Sequence, residues 1–273
     1  MNKTFVLTLF CFFSIAKTKS QNTDTLKVYY YENFPYAYTE KGVIKGIELE
    51  IMDEFINWLG AKKNIKVEIV HRQYLDFNKF YYDVRTAGPK VIGMGSVTNI
   101  LERETDVAFS PPYLQNIAVL ITNGNVVSAK SKSKEEVTKI FNGMIALTIP
   151  NSSHEKYLNE LKLNFLPNLV ISSTDTQNNI LNTISKDKKT FAYIDIVAYW
   201  SYLKMNTDKS LKIQKQFNAP KELLGYILPK NSIYSTYINE FFENGFGFTS
   251  TKKYNQILEK YLGYEIIEDV EIK

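Results

Sequence analysis

The sequence predicts a mixed α/β protein, and three observations support this fold class. Short runs rich in β-branched and aromatic residues alternate along the chain with helical patterns, which is typical of α/β folds. The 253 residues that follow a predicted leader at residues 1–20 of the 273-residue chain are enough for one large domain or for two lobes of roughly 100–150 residues each. No internal repeat and no second apolar run of membrane length is visible, so we expect a soluble protein.

The N-terminus has the pattern of a cleavable secretory signal peptide. Lys3 precedes an apolar run, Phe5–Ala16, that is too short to serve as a permanent membrane span. Thr18 and Ser20 are small residues suited to signal cleavage, so the mature chain is expected to begin at Gln21. These features predict a protein that is exported from the cytoplasm.

Charge and cysteine content exclude several classes of protein and site. The chain has 33 Lys and Arg against 29 Asp and Glu side chains, and residues 1–20 carry three of the lysines and no acid, which leaves a net charge of +1 after cleavage. A nearly neutral chain argues against nucleic acid as a partner. The one cysteine, Cys11, lies in the leader in a poor lipidation context, so no lipid anchor, disulfide, Cys-ligated metal or cysteine nucleophile is expected. His71 and His154 show no metal spacing, and no cofactor is predicted.

The first half of the mature chain is predicted as two strands and two helices. Leu26–Tyr31 is β-branched and aromatic, and Ile65–Val70 alternates, so both are assigned as strands. Between Gly46 and Gly60, apolar residues recur every four positions (Ile47, Ile51, Phe55 and Leu59), which indicates an amphipathic helix that ends at Gly60. Phe77–Val84 is predicted as a second helix.

The second half continues the alternation of strands and helices. The predicted strands are Ile117–Thr122, Met144–Ile149, Leu169–Ser172, Thr190–Ile194 and Lys221–Leu228. The predicted helices are one that begins at Ser152–Ser153, then Asp175–Ser185, Ile196–Leu203, Ile233–Asn244 and Lys252–Leu262. The apolar stripe of the last helix, which contains Tyr254 and Leu258, is expected to pack on the N-terminal part of the chain.

A polar cluster within residues 93–113 is the strongest functional indication. Ser96 and Thr98 are two residues apart, so an extended backbone would point both hydroxyls to one side. A short helix beginning near Asn99 would bring Arg103 back toward them. Since only Arg pairs a carboxylate through two parallel bonds, the stretch predicts a carboxylate clamp. The alternative is a surface helix in which Arg103 pairs with a nearby Glu.

Two further turns carry candidate binding residues. Ser152 and Ser153 stand where a helix begins, with His154 next to them, and free N–H groups at such an end form an anion site. Asp195 follows the strand Thr190–Ile194, at the strand end that faces the ligand crevice in open α/β sheets. Taken singly, the serines also fit an ordinary capped helix, and Asp195 also fits a cap for the helix that follows it.

An aromatic loop, residues 32–38, follows the first strand. Phe34 or Tyr36 could stack on a ligand side chain, and Glu32 could meet a polar or cationic one. The alternative is that these rings cap the end of a sheet.

These motifs together resemble the family 3 extracellular solute-binding proteins, the polar amino acid binders of bacterial uptake systems, over essentially the whole mature chain. Six residues fit the family's clamp pattern without insertion: Ser96, Thr98, Arg103, Phe109, Ser110 and Tyr113. Residues 151–154 are in register with the family's Gly-Thr-Thr-Gln, and Asp195 matches its Asp. Two departures are Ile100, where the family has a second Thr, and Ala87–Ile92, which lacks the Asp of a Gly-Lys-Val-Asp-like turn. At the first departure, Asn99 is expected to cap the short helix instead.

The resemblance implies a two-lobed periplasmic-binding-protein type II (Venus-flytrap) fold with two interlobe crossovers, at 117–122 and 221–228, and a helix over 128–141. Lobe 1 would comprise residues 21–116 and 228–273, and lobe 2 residues 117–227. It also implies that Arg103, Ser96 and Thr98 take an α-carboxylate, that the Ser152–Ser153 turn adds bonds to it, and that Asp195 takes the α-ammonium. The expected function is binding of an L-amino acid, as a monomer, for delivery to an ABC permease in the inner membrane.

Two other functions remain open at this level. Some proteins that resemble this fold are cyclohexadienyl or arogenate dehydratases, whose chemistry needs a positioned general acid, and Glu32 or His154 could serve. The other is a ligand-sensing accessory role. Formation of phenylalanine or phenylpyruvate from the precursor would identify the enzyme, and dependence on a separate partner would identify the sensor.

Overall fold

A computed structural model of the chain describes residues 24–244, 246–264 and 266–272. The predicted signal peptide at residues 1–20 and the predicted mature start at Gln21 lie outside the described residues. Within those residues, no helix combines the length and the hydropathy that a membrane crossing requires.

Strands and helices alternate along the described chain. The strands are β1 (Asp24–Tyr31), β2 (Tyr38–Glu40), β3 (Val43–Lys45), β4 (Val67–Tyr74), β5 (Val91–Thr98), β6 (Ala108–Phe109), β7 (Leu114–Asn123), β8 (Ile145–Thr148), β9 (Val170–Ser173), β10 (Thr190–Asp195), β11 (Leu211–Ile213) and β12 (Lys221–Leu228). The helices are α1 (Ile47–Trp58), α2 (Phe77–Arg85), α3 (Leu101–Glu104), α4 (Lys134–Phe141), α5 (Ser153–Asn164), α6 (Gln177–Lys186), α7 (Ile196–Met205), α8 (Ser235–Asn239), α9 (Lys252–Leu262) and α10 (Ile267–Val270).

One mixed sheet runs through the molecule in the order β4-β1-β5-β12-β7-β10-β8-β9. β1 pairs in parallel with β4 and β5 on one side, which we call lobe 1, and β8 pairs in parallel with β9 and β10 on the other side, lobe 2. β7 pairs with β12 over Leu114–Ile117 and then with β10 over Ala118–Thr122. β12 likewise pairs first with β7 and then with β5. These two strands are the crossovers, and the α/β architecture with two crossings is as predicted; the lobe boundaries at 116/117 and 227/228 stay a prediction.

Helix α1 shows how the sequence positions a helix against the sheet. Its stripe, which includes Ile47, Ile51 and Phe55, is buried. Gly46 precedes it at φ 130°, and a Cβ there would lie 2.1 Å from the Tyr36 carbonyl oxygen, so only glycine fits. The predicted end at Gly60 was wrong. The helical backbone continues as a π-turn over Leu59–Lys63. This segment ends at Asn64, whose φ of 56° is left-handed.

Two other helices differ from their predicted ranges. The helix expected over 128–141 begins only at Lys134, because the Ser133 side chain accepts a hydrogen bond from the Glu136 N–H and fixes the start there. The helix expected over Ile233–Asn244 is the short α8 followed by a π-turn over Glu240–Asn244.

The C-terminal helix α9 has its predicted range and packs where the sequence predicted. Tyr254 and Leu258 are fully buried. The Tyr254 hydroxyl donates to the Tyr113 carbonyl at 2.8 Å, which fastens the helix to the start of crossover β7.

Candidate functional site

Helix α3 holds Arg103 at the mouth of the interlobe cleft. The N-cap is Ile100, in an extended conformation, and no side chain caps the helix. The prediction that Asn99 would cap it was wrong, because Asn99 continues the ladder and donates its N–H to the Leu223 carbonyl of β12 at 2.8 Å. The helix therefore starts one residue later than a cap at Asn99 would place it.

The Arg103 guanidinium joins the two lobes. Nη1 donates to the Thr98 carbonyl and Nη2 to the Asn151 carbonyl, both at 3.1 Å. The group lies over the rings of Phe77 and Tyr81, at 5.5 and 6.0 Å from the ring centres, a cation–π arrangement. Burial lowers the pKa of Arg103 from its usual value. Arg103 forms no ion pair with any carboxylate of the described residues, so the predicted alternative of a surface Arg–Glu pair does not describe it.

Ser96 and Thr98 have different partners. Ser96 has a φ of 47°, so the extended backbone that would align the two hydroxyls is broken there. Its hydroxyl accepts from the Asn33 Nδ2 at 2.8 Å. The Thr98 hydroxyl lies 3.4 Å from the Ser153 hydroxyl across the cleft and 3.4 Å from Glu222 Oε2. Thr98 therefore contacts lobe 2, whereas Ser96 is held by the aromatic loop.

A buried acid that the sequence did not indicate, Glu48, fixes the Ser96 turn. Its Oε1 accepts from the N–H groups of Gly95 and Ser96 at 3.2 and 3.1 Å and from the Tyr113 hydroxyl at 2.8 Å. Burial raises the pKa of Glu48 to about 7, and these hydrogen bonds lower it only in part. Its Oε2 is buried without a hydrogen-bond partner in the described part of the chain.

The turn before α5 has the predicted form. Asn151 adopts a φ of 61°, as expected for Asn in the place of a glycine. The Ser152 hydroxyl accepts from the Glu155 N–H at 3.3 Å and donates to the Ile149 carbonyl at 2.6 Å, so it caps the helix. Ser153, at the first helical position, faces Thr98, and His154 is buried.

Asp195 is buried at the end of β10, and its side chain is not a helix cap. Its Oδ1 accepts from Asn116 Nδ2 at 2.6 Å and lies 3.0 Å from His154 Nε2, while Oδ2 accepts from Gln177 Nε2 at 2.6 Å. Burial alone would raise the pKa of Asp195, but His154 and the amide donors outweigh it and lower the pKa. Burial likewise would lower the pKa of His154, and Asp195 raises it. When His154 is protonated, the two form an ion pair inside lobe 2.

Glu222 on crossover β12 is a second buried acid that the sequence analysis missed. Its Oε1 accepts from the Tyr157 hydroxyl at 2.6 Å, and its Oε2 lies 3.4 Å from Thr98 Oγ1 and 3.5 Å from Asn116 Nδ2. A sequence signal did exist, because Glu222 shares by alternation the buried face of Leu224. The structure places this charged residue of the crossover strand at the wall of a cavity that Ser153 and Tyr157 also line.

The aromatic loop contributes to the site unevenly. Tyr36 is fully buried, and its hydroxyl has no hydrogen-bond partner in the described part of the chain. Burial, followed by the charges of Asp195 and Glu48, raises the pKa of Tyr36. Phe34 instead packs edge-on against Tyr38, with ring centres 4.9 Å apart. The Glu32 carboxylate accepts from the Thr39 N–H and from Gln73 Nε2 beside the same loop, and its contact with a ligand stays a prediction.

Two adjoining cavities lie at the edge of this cluster, and Thr98 and Asp195 line neither of them. The larger, of about 660 Å³, is lined by Arg103, and the smaller, of about 380 Å³, is lined by Glu222. Ile100, Ser153, Lys156 and Glu160 line both cavities, so the cavities meet along the first turns of α5. In the described ranges, no group of three or more His, Cys, Asp or Glu side chains is arranged to hold a metal ion.

Comparison with known proteins gives one family and many solved structures. The model of the family described as bacterial extracellular solute-binding proteins, family 3, matches residues 26–264. A comparison with curated proteins gives no significant match.

Three solved structures illustrate the likeness of fold. The arginine-, lysine-, histidine-binding protein ArtJ of Geobacillus stearothermophilus is 19% identical with a TM-score of 0.70, over 90% of this chain and 99% of ArtJ. The GluR0 ligand-binding core of Nostoc punctiforme, solved with L-glutamate, is 16% identical with a TM-score of 0.64, over 87% of this chain and 99% of that one. The ancestral amino acid-binding protein AncCDT-1, a precursor of cyclohexadienyl dehydratase, is 19% identical with a TM-score of 0.66, over 87% of this chain and 95% of that one. The predicted two-lobed periplasmic-binding-protein type II fold is confirmed.

Proposed function

The chain belongs to the bacterial extracellular solute-binding proteins, family 3, and on that premise we propose that it binds an L-amino acid between its lobes and delivers it to an ABC importer. It acts in the periplasm after removal of the leader, as a monomer, with a permease in the inner membrane as its partner. ArtJ is named for the amino acids that it binds, and the GluR0 core was solved with L-glutamate. Because both are less than 20% identical to this chain, they support its fold. The ligand class of this chain is therefore proposed here.

The observation that carries the proposal is the distribution of charge across the cleft. Arg103 of lobe 1 uses two of its five N–H donors on main-chain carbonyls, one in each lobe. The buried acids Asp195 and Glu222 lie in the same cluster, linked to it through Thr98 and Asn116. A zwitterion therefore meets a cation at one end and acids at the other.

In this proposal, Arg103 takes the α-carboxylate, with help from Thr98 and from the start of α5 at Ser152 and Ser153. An Arg fork is suited to a carboxylate, and the N–H groups at a helix start add bonds to an anion. The acidic side of the cluster, around Asp195, takes the α-ammonium. Ser96, Tyr36 and His154 are proposed to complete the site around the bound solute. Bonds to both lobes exist only in the closed form, which is the differential contact that drives closure.

A thermal-shift screen of residues 21–273 against the twenty amino acids tests the proposal. A ligand at 100 times its Kd adds about 2.7 kcal/mol of stability, a shift that is readily measured. We expect at least one amino acid to raise the melting temperature, with Kd and stoichiometry then determined by titration calorimetry. A flat response to all twenty, with a response to peptides or to organic acids without an amino group, would replace the proposed ligand class.

One observation favours a second candidate function, a dehydratase. Burial raises the pKa of Glu48 to about 7, and an acid in that range can donate a proton near neutral pH. The test is release of phenylpyruvate or phenylalanine from prephenate or arogenate, followed by its absorbance. Product formation that is lost in Glu48→Gln would favour the enzyme over the binding protein.

A further inference from the structure

Charge is divided unequally between the two lobes. Residues 117–227 contain 14 lysines, no arginine and nine acidic side chains, a net charge of +5. Residues 21–116 and 228–273 together contain 16 basic and 20 acidic side chains, a net charge of −4. A chain that is nearly neutral as a whole is therefore basic on lobe 2 and acidic on lobe 1, and this asymmetry favours an anionic partner for lobe 2.

The lysines of lobe 2 are also largely unpaired. In lobe 1, Lys45, Lys63 and Lys260 each form an ion pair with a carboxylate. Of the 14 lysines of lobe 2, Lys156 and Lys209 alone lie within 4.0 Å of a carboxylate of the described residues. The positive charge of lobe 2 is thus not neutralised by the protein itself.

The segment that follows β7 folds back along β11. Lys212 Nζ, on β11, donates to the Val126 carbonyl at 2.6 Å. The buried Gln214 side chain accepts from the Ala129 N–H at 2.8 Å and donates to the Val127 carbonyl at 3.2 Å. Because these bonds fix the main chain of the segment, the side chains that it carries have a defined place beside β11.

The result is a basic edge on lobe 2 with an apolar residue among its lysines. We use this name for Val127, Lys130, Lys212 and Lys215. Lys130 and Lys215 are exposed, and Val127 is 68% exposed. The neighbouring acid Glu136 accepts from the main-chain N–H of Lys130 at 3.1 Å, and no carboxylate of the described chain lies within 4.0 Å of the three ammonium groups.

An anionic lipid bilayer has the chemistry that this edge would recognise. Lysine side chains are attracted to anionic headgroups, and each one near the surface strengthens binding about fivefold. An exposed apolar side chain adds to this by entering the boundary between headgroups and acyl chains. A soluble polyanion would use the lysines alone, so the exposed Val127 favours the bilayer.

We propose that the basic edge binds lobe 2 reversibly to the surface of an anionic membrane. Three lysines and one valine provide a weak contact that salt reverses, far from the permanent insertion of a transmembrane helix. No residue of the basic edge lines either cavity beside Arg103 and Glu222. The inference therefore goes beyond the proposed function, and the two are tested separately.

Flotation of residues 21–273 with lipid vesicles tests the inference. We expect binding to vesicles of equimolar phosphatidylglycerol and phosphatidylcholine, no binding to phosphatidylcholine alone, and release at about 0.5 M salt, because salt screens the charges. Lys130→Gln/Lys212→Gln/Lys215→Gln should weaken binding to the anionic vesicles roughly a hundredfold.

The matched control is Lys41→Gln/Lys62→Gln/Lys66→Gln. It removes three exposed, unpaired lysines of lobe 1, and thus the same charge, and should keep vesicle binding. Since Lys212 also holds the Val126 carbonyl, the double variant Lys130→Gln/Lys215→Gln leaves that bond in place and should still weaken binding roughly thirtyfold. Equal losses in the two triple variants, or no binding of the wild-type protein to anionic vesicles, would overturn the inference.

Val127→Ser separates a bilayer from other anionic partners. It should weaken vesicle binding several-fold and leave retention on immobilised poly-L-glutamate unchanged. Unchanged vesicle affinity would assign the edge to a soluble polyanion, and lipid-free self-association that the Lys130, Lys212 and Lys215 variant abolishes would assign it to lobe 1 of a second copy. Either result rules out the membrane, while an unaltered amino acid affinity of these variants leaves the proposed function standing.

Discussion

Arg103 is the residue on which the proposed carboxylate contact depends. Truncating one partner of a desolvated charge pair costs roughly 3–5 kcal/mol, so Arg103→Ala should weaken amino acid binding at least about a hundredfold. The matched control is Arg85→Ala, which removes a surface arginine paired with Asp106 at 3.0 Å and should change affinity by less than about tenfold. Calorimetry measures the amino acid affinity of both variants. Equal, small losses of affinity would mean that the α-carboxylate of the solute does not bind Arg103.

Glu48 gives the protein a pH dependence of stability with a defined sign. Its pKa rises from 4.5 when exposed to about 7 in the folded protein. The folded state therefore binds the proton more tightly, and this stabilisation is complete below about pH 4.5 and is lost as pH rises through about 7, a difference of order 3 kcal/mol. In Glu48→Gln this pH-dependent component should disappear, whereas in Glu160→Gln it should remain. Urea unfolding between pH 4.5 and 8 measures it; the same slope in Glu48→Gln as in wild type would contradict the assignment.

The sequence revealed site residues with a local pattern and missed those defined by tertiary contacts. Arg103, Ser153 and Asp195 stand in strand-to-helix turns, which the pattern locates, although their roles stay predictions. Glu48 lies inside an amphipathic helix and Glu222 inside an apolar strand. In both places the apolar neighbours predict the helix or strand, and nothing in the local pattern marks the acid as part of a site. That Asp195 is already paired with His154 depends on two segments meeting in space, which spacing along the chain does not encode.

At the scale of elements, the start of α5 links helix stability to binding. Ser152 caps α5 and Ser133 caps α4, and each hydroxyl accepts from an N–H three residues on at 3.3 Å. Replacing either serine with alanine should lower stability by about 1 kcal/mol. Only Ser152→Ala should also weaken amino acid binding, because α4 lies outside the cluster. Denaturant unfolding measures the stability of the two variants, and calorimetry measures their binding. Equal affinities in both variants would mean that the start of α5 is not part of the binding site.

Helix ends set by capping were predicted better than ends set by irregular turns. α9 has its predicted range because its apolar period and Gly263 mark both limits. α1 and α8 each run on into a π-turn, which inserts a residue without breaking the apolar stripe, so the pattern gave no sign of it. The same reasoning explains α3, whose start is fixed by the bond from Asn99 to β12 rather than by a cap.

For the molecule as a whole, the alternation of strands and helices predicted the α/β class, and the family resemblance supplied the two lobes. The path of the crossovers could not be read from residue patterns alone. β7 and β12 are continuous strands that change partners midway. The sequence of an apolar strand does not indicate which neighbouring strand it pairs with. The antiparallel pairing of β12 with β7 places Glu222 opposite Asn116 at the junction of the lobes.

Hydrogen bonds between the two lobes stabilise the closed form without a bound solute. The Tyr31 hydroxyl donates to the Asp175 carbonyl, and Asn151 Nδ2 donates to Asn78 Oδ1 at 2.8 Å. Removing both in Tyr31→Phe/Asn78→Ala should cost the closed form about 2 kcal/mol, roughly thirtyfold in the ratio of closed to open molecules. Apparent affinity should fall with the closed fraction.

Small-angle scattering distinguishes this effect from damage to the site. The double variant should have a larger radius of gyration than wild type without amino acid and the same radius at saturation, because bound solute restores closure. Tyr82→Phe, an exposed tyrosine of α2, should leave both values unchanged. Weaker binding with an unaltered radius in the free protein would mean that these contacts shape the site instead of holding the lobes together.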